Sequence, residues 1–393
     1  MNMHNEKTQH STLKIACVTE DNAKDVHSWS GIVFFITQAL ERQGVDICYV
    51  DNLKIKRSIV ARKLSKFYSK IIRIVGKRYE PGRTIAIAKK YAKEVENRIP
   101  DNIDVILAPA GTIPMAFLHS GAKKVIYNDA TFACMANYYR GMTNLCSTTL
   151  KQGKIIDEMA FANCDLLLFA SDWAAQSAIR DYHINVQKVR VVPFGANIQT
   201  ERSEYEIKNI IKNRAKDVCN LLFVGVNWKR KGGNIALKIA ERLHNDGINV
   251  HLDIVGIKKM PVALPDYATH HGFVSKSTAQ GNKLINDLFE NAHFLVLPTR
   301  QECFGIVFAE ASSYGLPSIA TKTGGVESAV KDNVNGMTFA LGDAPEVYAN
   351  YIKKIFANSA EYEKLCLTSF NHYKNVLNWD VAAGQIVNYI NNL

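Results

Sequence analysis

Apolar runs of strand length alternate with stretches of helical spacing along the first half of the chain. The apolar runs cover residues 13–19, 45–50, 105–108, 125–127, 166–170 and 189–193. Segments with the period of an amphipathic helix lie between them, at 32–40, 84–98, 155–162 and 173–182. Alternating strands and helices are typical of a parallel sheet that is covered by helices on both faces. The pattern therefore predicts a doubly wound α/β unit.

The same pattern restarts after a polar stretch at residues 198–217. Further apolar runs cover 221–224, 250–255, 268–273, 293–298 and 317–320. A chain of 393 residues is also longer than one hydrophobic core usually supports. We therefore expect two domains, residues 1–197 and 218–376, joined by a linker at 198–217. The residues of this linker could also form a solvated helix.

Two carboxylates stand eight positions apart at the predicted strand-to-helix junction after residue 298. The first, Glu302, follows the strand, and the second, Glu310, lies inside a run of good helix formers that begins after Phe304-Gly305. Backbone N–H groups of a first helical turn are free to meet an anion. Amide donors for phosphate and carboxylates for hydroxyls together suit a sugar nucleotide. The spacing alone is equally compatible with a helix that carries a solvated glutamate at each end.

A longer series of motifs resembles retaining glycosyltransferases with the GT-B fold, in the large family known as GT4. Besides Glu302-x7-Glu310, the series consists of Ser171-Asp172-Trp173, Pro193-Phe194-Gly195-Ala196-Asn197, Phe223-Val224-Gly225, Arg230-Lys231-Gly232-Gly233, Gly315-Leu316-Pro317 and Thr323-Gly324-Gly325-Val326-Glu327. The resemblance extends from about residue 125 to the end, about two thirds of the chain. It implies two Rossmann-like domains facing each other across a cleft, with the acceptor side first and the nucleotide-sugar donor side second. It also implies a last helix, 377–393, that crosses back to the first domain.

The resemblance implies roles for residues on the donor side. Glu310 would accept hydrogen bonds from the ribose hydroxyls, and Glu302 would face hydroxyls of the transferred sugar. Backbone groups around Phe304 and Gly305, with the following Ile306 and Val307, would orient the donor. Residue Val274, in the loop after the predicted strand 268–273, would place its backbone against the nucleotide base.

Two adjacent cations, Arg230 and Lys231, are expected to neutralise charge that develops on the departing diphosphate. Many family members carry an arginine directly after the strand-ending glycine, where this chain has Val226. We therefore assign the guanidinium role to Arg230. The alternative is a solvated cationic cluster at a helix start, which would oppose the helix dipole. The Walker A spacing of nucleotide triphosphatases is absent.

The first domain offers two further candidates for the opposite wall of the cleft. Relatives place an acidic residue or a histidine beside the reacting carbon in the loop after residue 127, where Asp129 is the candidate. A helix N-cap at Asp129 is equally compatible with the sequence. Next to Ser30 in the first strand-to-helix loop, Gly31 would allow the backbone to approach the diphosphate or the sugar. A purely structural glycine there is the alternative.

The spacing of the cysteines, the distribution of the histidines and the length of the apolar runs indicate which classes of protein are compatible with the sequence. No two of the eight cysteines are closer than twelve residues, which argues against CxxC zinc or redox motifs and favours free thiols in a reducing cytoplasm. The eleven histidines are scattered, so we expect no metal site and no cofactor beyond the nucleotide-sugar co-substrate. Residues 1–12 do not resemble a signal peptide, and no apolar run reaches the length of a membrane span. A cytoplasmic protein is therefore expected.

Nearly all of the positive charge belongs to one segment. The chain carries a formal net charge of +11, yet residues 54–93 alone hold fourteen lysines and arginines and one acid, Glu80. Within this segment, residues 59–75 have helical spacing, which is typical of an amphipathic helix at an anionic membrane surface. The alternative is a helix whose apolar face packs on its own domain. No nucleic-acid recognition motif accompanies the charge, so we expect no nucleic-acid partner.

The expected activity is a metal-independent, retaining transfer of a hexose from a UDP or GDP sugar to a hydroxyl acceptor. The basic segment points to a glycan or a lipid-linked acceptor at the inner face of the cytoplasmic membrane. Alternatives are another GT-B enzyme, such as a sugar-nucleotide epimerase or a phosphorylase, and a non-catalytic module that binds sugar nucleotides.

Overall fold

Parallel β-sheets organise both halves of the chain in the computed structural model, which describes residues 12–55 and 58–393. Within these residues, twelve strands form two six-stranded parallel sheets. The first sheet contains β1 (Lys14–Val18), β2 (Asp46–Val50), β3 (Val105–Pro109), β4 (Lys123–Asn128), β5 (Leu166–Phe169) and β6 (Val189–Val191). The second contains β7 (Cys219–Val224), β8 (Val250–Val255), β9 (Ala268–His270), β10 (Phe294–Leu297), β11 (Ser318–Thr321) and β12 (Gly336–Phe339).

Helices connect the strands and cover both faces of each sheet. Those of the first half are α1 (Ile32–Arg42), α2 (Ile59–Ile74), α3 (Ile85–Glu96), α4 (Thr112–Met115), α5 (Phe132–Met135), α6 (Ser147–Asn163) and α7 (Asp172–Tyr182). Those of the second half are α8 (Glu204–Asn213), α9 (Gly233–Asn245), α10 (Ala279–Asn291), α11 (Ile306–Ser312), α12 (Val326–Ala329), α13 (Pro345–Ala357), α14 (Ser359–Asn375) and α15 (Trp379–Asn391). The predicted architecture of two doubly wound domains is confirmed.

Strand order determines where each domain can bind a ligand. The first sheet has the order β2-β1-β3-β4-β5-β6, and the second has β12-β11-β10-β7-β8-β9. The winding therefore reverses direction between β1 and β3 and again between β7 and β10. Loops leave the carboxyl ends of such neighbouring strands in opposite directions, and the crevice between them is where open α/β sheets bind ligands. In the second domain, these loops carry Arg230 and Lys231 after β7 and Glu302 after β10.

Individual elements differ from the sequence prediction. The strand expected at 268–273 ends at His270, since Gly272 adopts a φ of +70° that takes the chain out of the sheet. Strand β12 was not predicted, because Gly336-Met-Thr-Phe is short and begins with a glycine. The edge position of β12 beside β11 accommodates such a short strand.

The segment 198–217, for which the sequence allows a linker or a solvated helix, contains helix α8. A capping box between Ser203 and Glu206 starts this helix. Its residues Ile207 and Ile211 are buried, and the helix packs against α10 and α14 of the second domain. After the helix, the buried Arg214 guanidinium donates to the carbonyl oxygens of Tyr314 and Gly315, both at 3.0 Å. Half of the segment is thus a packed part of the second domain.

Helix α15 returns to the first domain, as the resemblance implies. It packs against α1, and Trp379 at its start lies against the ring of Phe194 with 5.6 Å between centroids. The indole N–H of Trp379 donates to Asn197 Oδ1 at 2.8 Å, and the side chain is 4% exposed. At the surface, Arg42 and Asp380 form an exposed ion pair at 2.7 Å. The buried aromatic contact at Trp379 therefore contributes more to the attachment of this helix than the exposed ion pair does.

The buried contact generates a stability prediction. Replacement of Trp379 by alanine is expected to lower the free energy of unfolding by about 3 kcal/mol or more, because it leaves a large cavity and removes the donor to Asn197 Oδ1. Replacement of Arg42 by alanine, which removes only an exposed ion pair of α15, should cost less than about 1 kcal/mol. Denaturant unfolding of both variants measures the difference. Equal effects of the two substitutions would contradict the role of the aromatic contact.

Candidate functional site

A cavity of about 670 Å³ lies between the two domains, at the carboxyl ends of the strands of both sheets. Its walls come from the loop before α1, the loop after β4, the loops after β7 and β10, and the segment after β9. Ligand sites of proteins have volumes of about 300–1,000 Å³, so a molecule with the size of a sugar nucleotide fits this space. The cavity is thus the candidate active site.

A buried ion cluster lies at the centre of the second domain's wall. The Lys231 ammonium donates a short hydrogen bond to Glu302 Oε2. Arg230 Nη1 lies 3.5 Å from the same oxygen and donates to the carbonyl oxygen of Gln301 at 2.8 Å. Both Glu302 and Lys231 are at most 9% exposed. One carboxylate therefore faces two cations, and the cluster keeps a positive charge of one.

Glycines bring the loop after β7 close enough to β10 to form this cluster. Gly232 has a φ of +77°, and a Cβ on it would lie 1.9 Å from the carbonyl oxygen of Pro298. A Cβ on Gly225 would lie 2.8 Å from Lys231 Cγ. No side chain fits at either position without displacing the cation or the strand end. Both glycines are therefore part of the site's construction.

Helix α11 starts at the same place and carries the second carboxylate. Its N-cap, Gly305, has a φ of +87°, and the preceding Phe304 is buried against Phe194 of the first domain at 5.3 Å between ring centroids. Glu310, one and a half turns along, is 5% exposed and lies 2.5 Å from Lys276 Nζ. Two carboxylates of the site thus each have a lysine partner, Lys231 for the first and Lys276 for the second.

Asp129 lies on the opposite wall, in the loop after β4. Desolvation between the domains, together with the charge of Glu302, raises the pKa of Asp129 to about 6. The alternative of a helix N-cap at Asp129 is wrong, because Thr131 caps α5 by accepting from the backbone N–H of Cys134 at 3.1 Å. A carboxyl group that titrates near neutral pH therefore faces the cavity.

The loop before α1 completes the first domain's wall. Gly31 has a φ of +81°, and a Cβ on it would lie 2.8 Å from the carbonyl oxygen of Val26. The glycine lies behind the surface, whereas its neighbours Ser30 and Ile32 line the cavity. Asn197 donates to the carbonyl oxygen of Ser30 at 2.5 Å and ties this loop to the strand-end segment after β6. A need for left-handed backbone is thus sufficient to explain Gly31.

The cavity brings nearly all of the predicted residues together. Those that line it are Asp129, Arg230, Lys231, Val274, Glu302, Phe304, Gly305, Ile306, Val307 and Glu310. Gly31 itself does not line the cavity, but its neighbours Ser30 and Ile32 do. The lining itself does not test what each residue does, so the roles stay predictions.

Part of the chain matches a known family. Residues 205–366 match the model of the family Glycosyl transferases group 1. The D-inositol 3-phosphate glycosyltransferase of Xylanimonas cellulosilytica is 23% identical over 252 residues. This alignment covers 60% of the chain and spans about three fifths of that protein, 59% of its length.

Solved structures resemble the chain over almost its whole length. Sucrose-phosphate synthase from Thermosynechococcus elongatus superposes with a TM-score of 0.67 at 15% identity, and 97% of this chain and 98% of that one are covered. Anabaena Alr3699/HepE in complex with UDP and glucose gives a TM-score of 0.59 at 15% identity, covering 97% of this chain and all of the other. The chain has the GT-B fold.

The GT-B cleft contains side chains that sequence reasoning missed. Lys276 covers Glu310, and Arg202 lies over the ring of Tyr314, 3.8 Å from its centroid, with an ion pair to Glu290 at 3.1 Å. Lys276 follows Val274 by two residues, so its position in the same loop was an available signal. Arg202 lies in the segment assigned as a linker. No sequence pattern marks such a residue as part of a cleft.

A tyrosine pair from the first domain crosses the GT-B cleft. The hydroxyl of Tyr138 accepts from the backbone N–H of Glu302 and also bonds Thr323 Oγ1, both at 2.8 Å. The hydroxyl of Tyr139 donates to Cys303 Sγ at 3.2 Å. These contacts hold the loop after β10 against the first domain. They therefore couple the position of Glu302 to the spacing between the domains.

The arrangement of potential metal ligands bears on the prediction that no metal ion is needed. In the described ranges 12–55 and 58–393, no three His, Cys, Asp or Glu side chains cluster in a way that could hold a metal ion. All eight cysteines are free. The absence of a metal requirement stays a prediction.

The surroundings of Asp129 generate a prediction about pH. Because the folded state raises its pKa from 3.8 to about 6, the folded protein binds this proton more tightly than the unfolded chain. Stability contributed by the group is therefore lost as pH rises from about 4 to about 6. Replacement of Asp129 by asparagine should stabilise the protein by about 1–2 kcal/mol at pH 7 and by almost nothing at pH 4.

Chemical denaturation of both proteins between pH 4 and pH 8 checks this expectation. Asp181, a carboxylate of the same domain whose pKa is lowered by Arg180, provides the matched control. Its replacement by asparagine should not stabilise the protein at pH 7. A difference between Asp129→Asn and the parent protein that does not change with pH would contradict the assignment.

Proposed function

We propose that the protein is a retaining glycosyltransferase of the GT4 family that transfers a hexose from a UDP or GDP sugar to a hydroxyl of a glycan or a lipid-linked acceptor, without a metal ion. One observation carries the proposal: one interdomain cavity is lined by a cation pair, Arg230 and Lys231, that contacts Glu302, by a second carboxylate of the same domain, Glu310, and by Asp129 of the other domain. A sugar nucleotide has a dianionic diphosphate between two hydroxyl-bearing rings. The cavity offers cations that suit the diphosphate and carboxylates that suit hydroxyls of the two rings.

The cation pair acts on the leaving group. Breaking the bond between the anomeric carbon and the diphosphate oxygen moves negative charge onto that oxygen. Lys231 is buried and Arg230 is partly buried, and Glu302 holds both in place, so they stabilise this charge with little reorganisation. The acceptor oxygen forms its bond to the anomeric carbon on the same face, and its proton passes to the departing phosphate oxygen. Configuration at the anomeric carbon is thereby retained.

The carboxylates orient the sugar and the nucleoside. Glu302 keeps one oxygen for the cations and offers the other to hydroxyls of the hexose. Across the cleft, Asp129 with its pKa of about 6 can donate as well as accept a hydrogen bond near neutral pH. Glu310 accepts hydrogen bonds from the ribose hydroxyls. Its carboxylate, which contacts the Lys276 ammonium in this structure, is then shared between the lysine and the ribose. The Lys276 side chain is 41% exposed and therefore free to move when a nucleotide enters.

Loss of the buried cation is expected to affect the chemical step. Replacement of Lys231 by alanine should reduce kcat about a hundredfold and change the affinity for the donor much less, because the charge it stabilises develops in the transition state. Exposed Lys229, two residues earlier in the same loop, is the matched control. Its replacement by alanine should leave kcat within about twofold. Steady-state donor hydrolysis measures both; a Lys231 variant that loses only donor affinity would contradict the role.

Binding of nucleotides tests the donor assignment directly. UDP or GDP is expected to raise the melting temperature of the protein, since a ligand that binds only the folded state stabilises it. Removal of one ribose hydroxyl, as in dUDP, should weaken binding to the parent protein by about tenfold. In Glu310→Ala, UDP should bind more weakly than to the parent protein, and UDP and dUDP should bind equally.

This double comparison isolates the carboxylate from general effects on the fold. The exposed Glu327, beyond β11, serves as the control, and its replacement by alanine should preserve the preference for UDP over dUDP. Isothermal titration calorimetry measures all six affinities, those of UDP and dUDP for the parent protein and for each of the two variants. Persistence of the full preference in Glu310→Ala would show that the ribose lies elsewhere, and failure of all nucleotides to bind would overturn the proposed function.

A further inference from the structure

An apolar strip lies uncovered along helix α2, outside the catalytic cleft. Its members are Val60, Leu64, Phe67, Ile71 and Ile74, which repeat at the spacing of one helix face and are between 44% and 84% exposed. None of the sixteen residues of this helix, all of which the structure describes, is buried. We call these five residues the outer strip. Single exposed apolar side chains are ordinary, but a continuous strip of this length marks an interaction site.

The helix contacts the first domain through its other side. Tyr68 OH lies 3.2 Å from Thr148 Oγ1, and the Tyr68 ring meets that of Tyr79 edge-on at 4.8 Å. Ser65, Tyr68, Ser69 and Ile72 are the partly covered positions of the helix between residues 59 and 72. Of the two arrangements that the sequence allowed, packing of the apolar face on the domain is therefore wrong. The domain contacts a small, mostly polar face, and the outer strip is turned away from it.

Such a helix lacks the usual source of helical stability. Helices of this length are marginal in water unless an amphipathic face is packed, and here the unpacked face is the apolar one. Ser58 caps the start by accepting from the backbone N–H of Ala61 at 3.2 Å, which satisfies one free donor only. Helix α2 is thus expected to become more stable when an apolar surface outside this domain covers the outer strip.

The charge around the outer strip indicates what kind of apolar surface covers it. Five exposed cations flank the strip, Arg62, Lys63, Lys66, Lys70 and Arg73, and residues 58–79 contain no acid. A second copy seated on the strip would bring ten cations of this kind together, so self-association is opposed by charge. A cavity of about 660 Å³ adjoins the helix at Thr148 and adds Lys89 and Lys151 to the same region. Positive charge around an apolar strip is the pattern of a helix that lies in an anionic membrane interface.

We propose that the outer strip of α2 inserts into the interface of a bilayer that contains anionic lipid, with the flanking lysines and arginines at the headgroup phosphates. The membrane-bound surface belongs to the first domain, the acceptor side of the proposed transferase. Docking nevertheless depends only on α2 and its neighbours. The docking proposal therefore does not depend on whether the protein transfers a glycosyl group.

Co-sedimentation with vesicles tests the proposal on the full chain. Vesicles of phosphatidylcholine with about a third of phosphatidylglycerol should retain the protein, pure phosphatidylcholine should not, and about 0.5 M salt should release most of it. The triple variant Leu64→Ser, Phe67→Ser, Ile71→Ser should lower the partition coefficient at least tenfold. Val186→Ser, which changes an apolar residue of equal exposure outside α2, is the control and should bind like the parent. The shift that UDP causes in the melting temperature should be the same in all three proteins.

A fluorescence reporter locates the contact. In Phe67→Trp, anionic vesicles should shift the tryptophan emission to shorter wavelength, whereas Val186→Trp, with the same 63% exposure, should show no such shift. Equal binding to neutral and anionic vesicles, no binding to either, or unchanged binding of the triple variant would overturn the proposal. A dimer in solution that the triple variant abolishes, without vesicle binding, would overturn it in favour of an interface between copies.

Discussion

The pairing of Glu302 with Lys231 and Arg230 is the interaction on which the candidate site depends. A carboxylate buried at the end of β10 is tolerated only with a compensating cation, and the cations come from a loop that glycines press against the same strand end. The backbone N–H of this glutamate also meets Tyr138 of the first domain. A single residue thus links the charge of the site, the packing of two loops and the distance between the domains.

The two walls of the cleft have opposite electrostatic character as a consequence. On the second domain, the ion cluster keeps a net positive charge that suits a diphosphate. On the first domain, Asp129 feels the negative charge of Glu302 and lies in a poorly solvated loop, so its pKa is raised towards neutral. Asp157 forms an ion pair with Arg83 and also accepts a hydrogen bond from the backbone N–H of Phe132. These contacts hold the segment that follows Asp129 in place. Buried ion pairs therefore support both walls, whereas the Asp129 carboxyl itself lies opposite a like charge, that of Glu302.

Basic residues of segment 54–93 have more than one physical role. Arg83 is internal and stabilises the loop next to Asp129, and Arg78 donates to the carbonyl oxygen of Arg140 at 3.0 Å. The cations of α2, in contrast, face solvent beside an exposed apolar strip. Lys56 and Arg57 lie outside the described residues. The net positive charge of segment 54–93 therefore includes cations that stabilise the fold as well as cations that are exposed on the surface of α2.

Periodicity and short motifs by themselves determined the two doubly wound domains and a set of candidate residues nearly all of which line the cleft, because strand-to-helix junctions are local and glycines mark them. Tertiary structure alone decided the partners of those residues: Lys276 on Glu310, Tyr138 on Glu302, and Thr131 instead of Asp129 as a helix cap. It also decided which face of α2 is turned outward. Contacts between distant segments and the direction of a helix face depend on how elements pack, and a linear pattern does not contain that information.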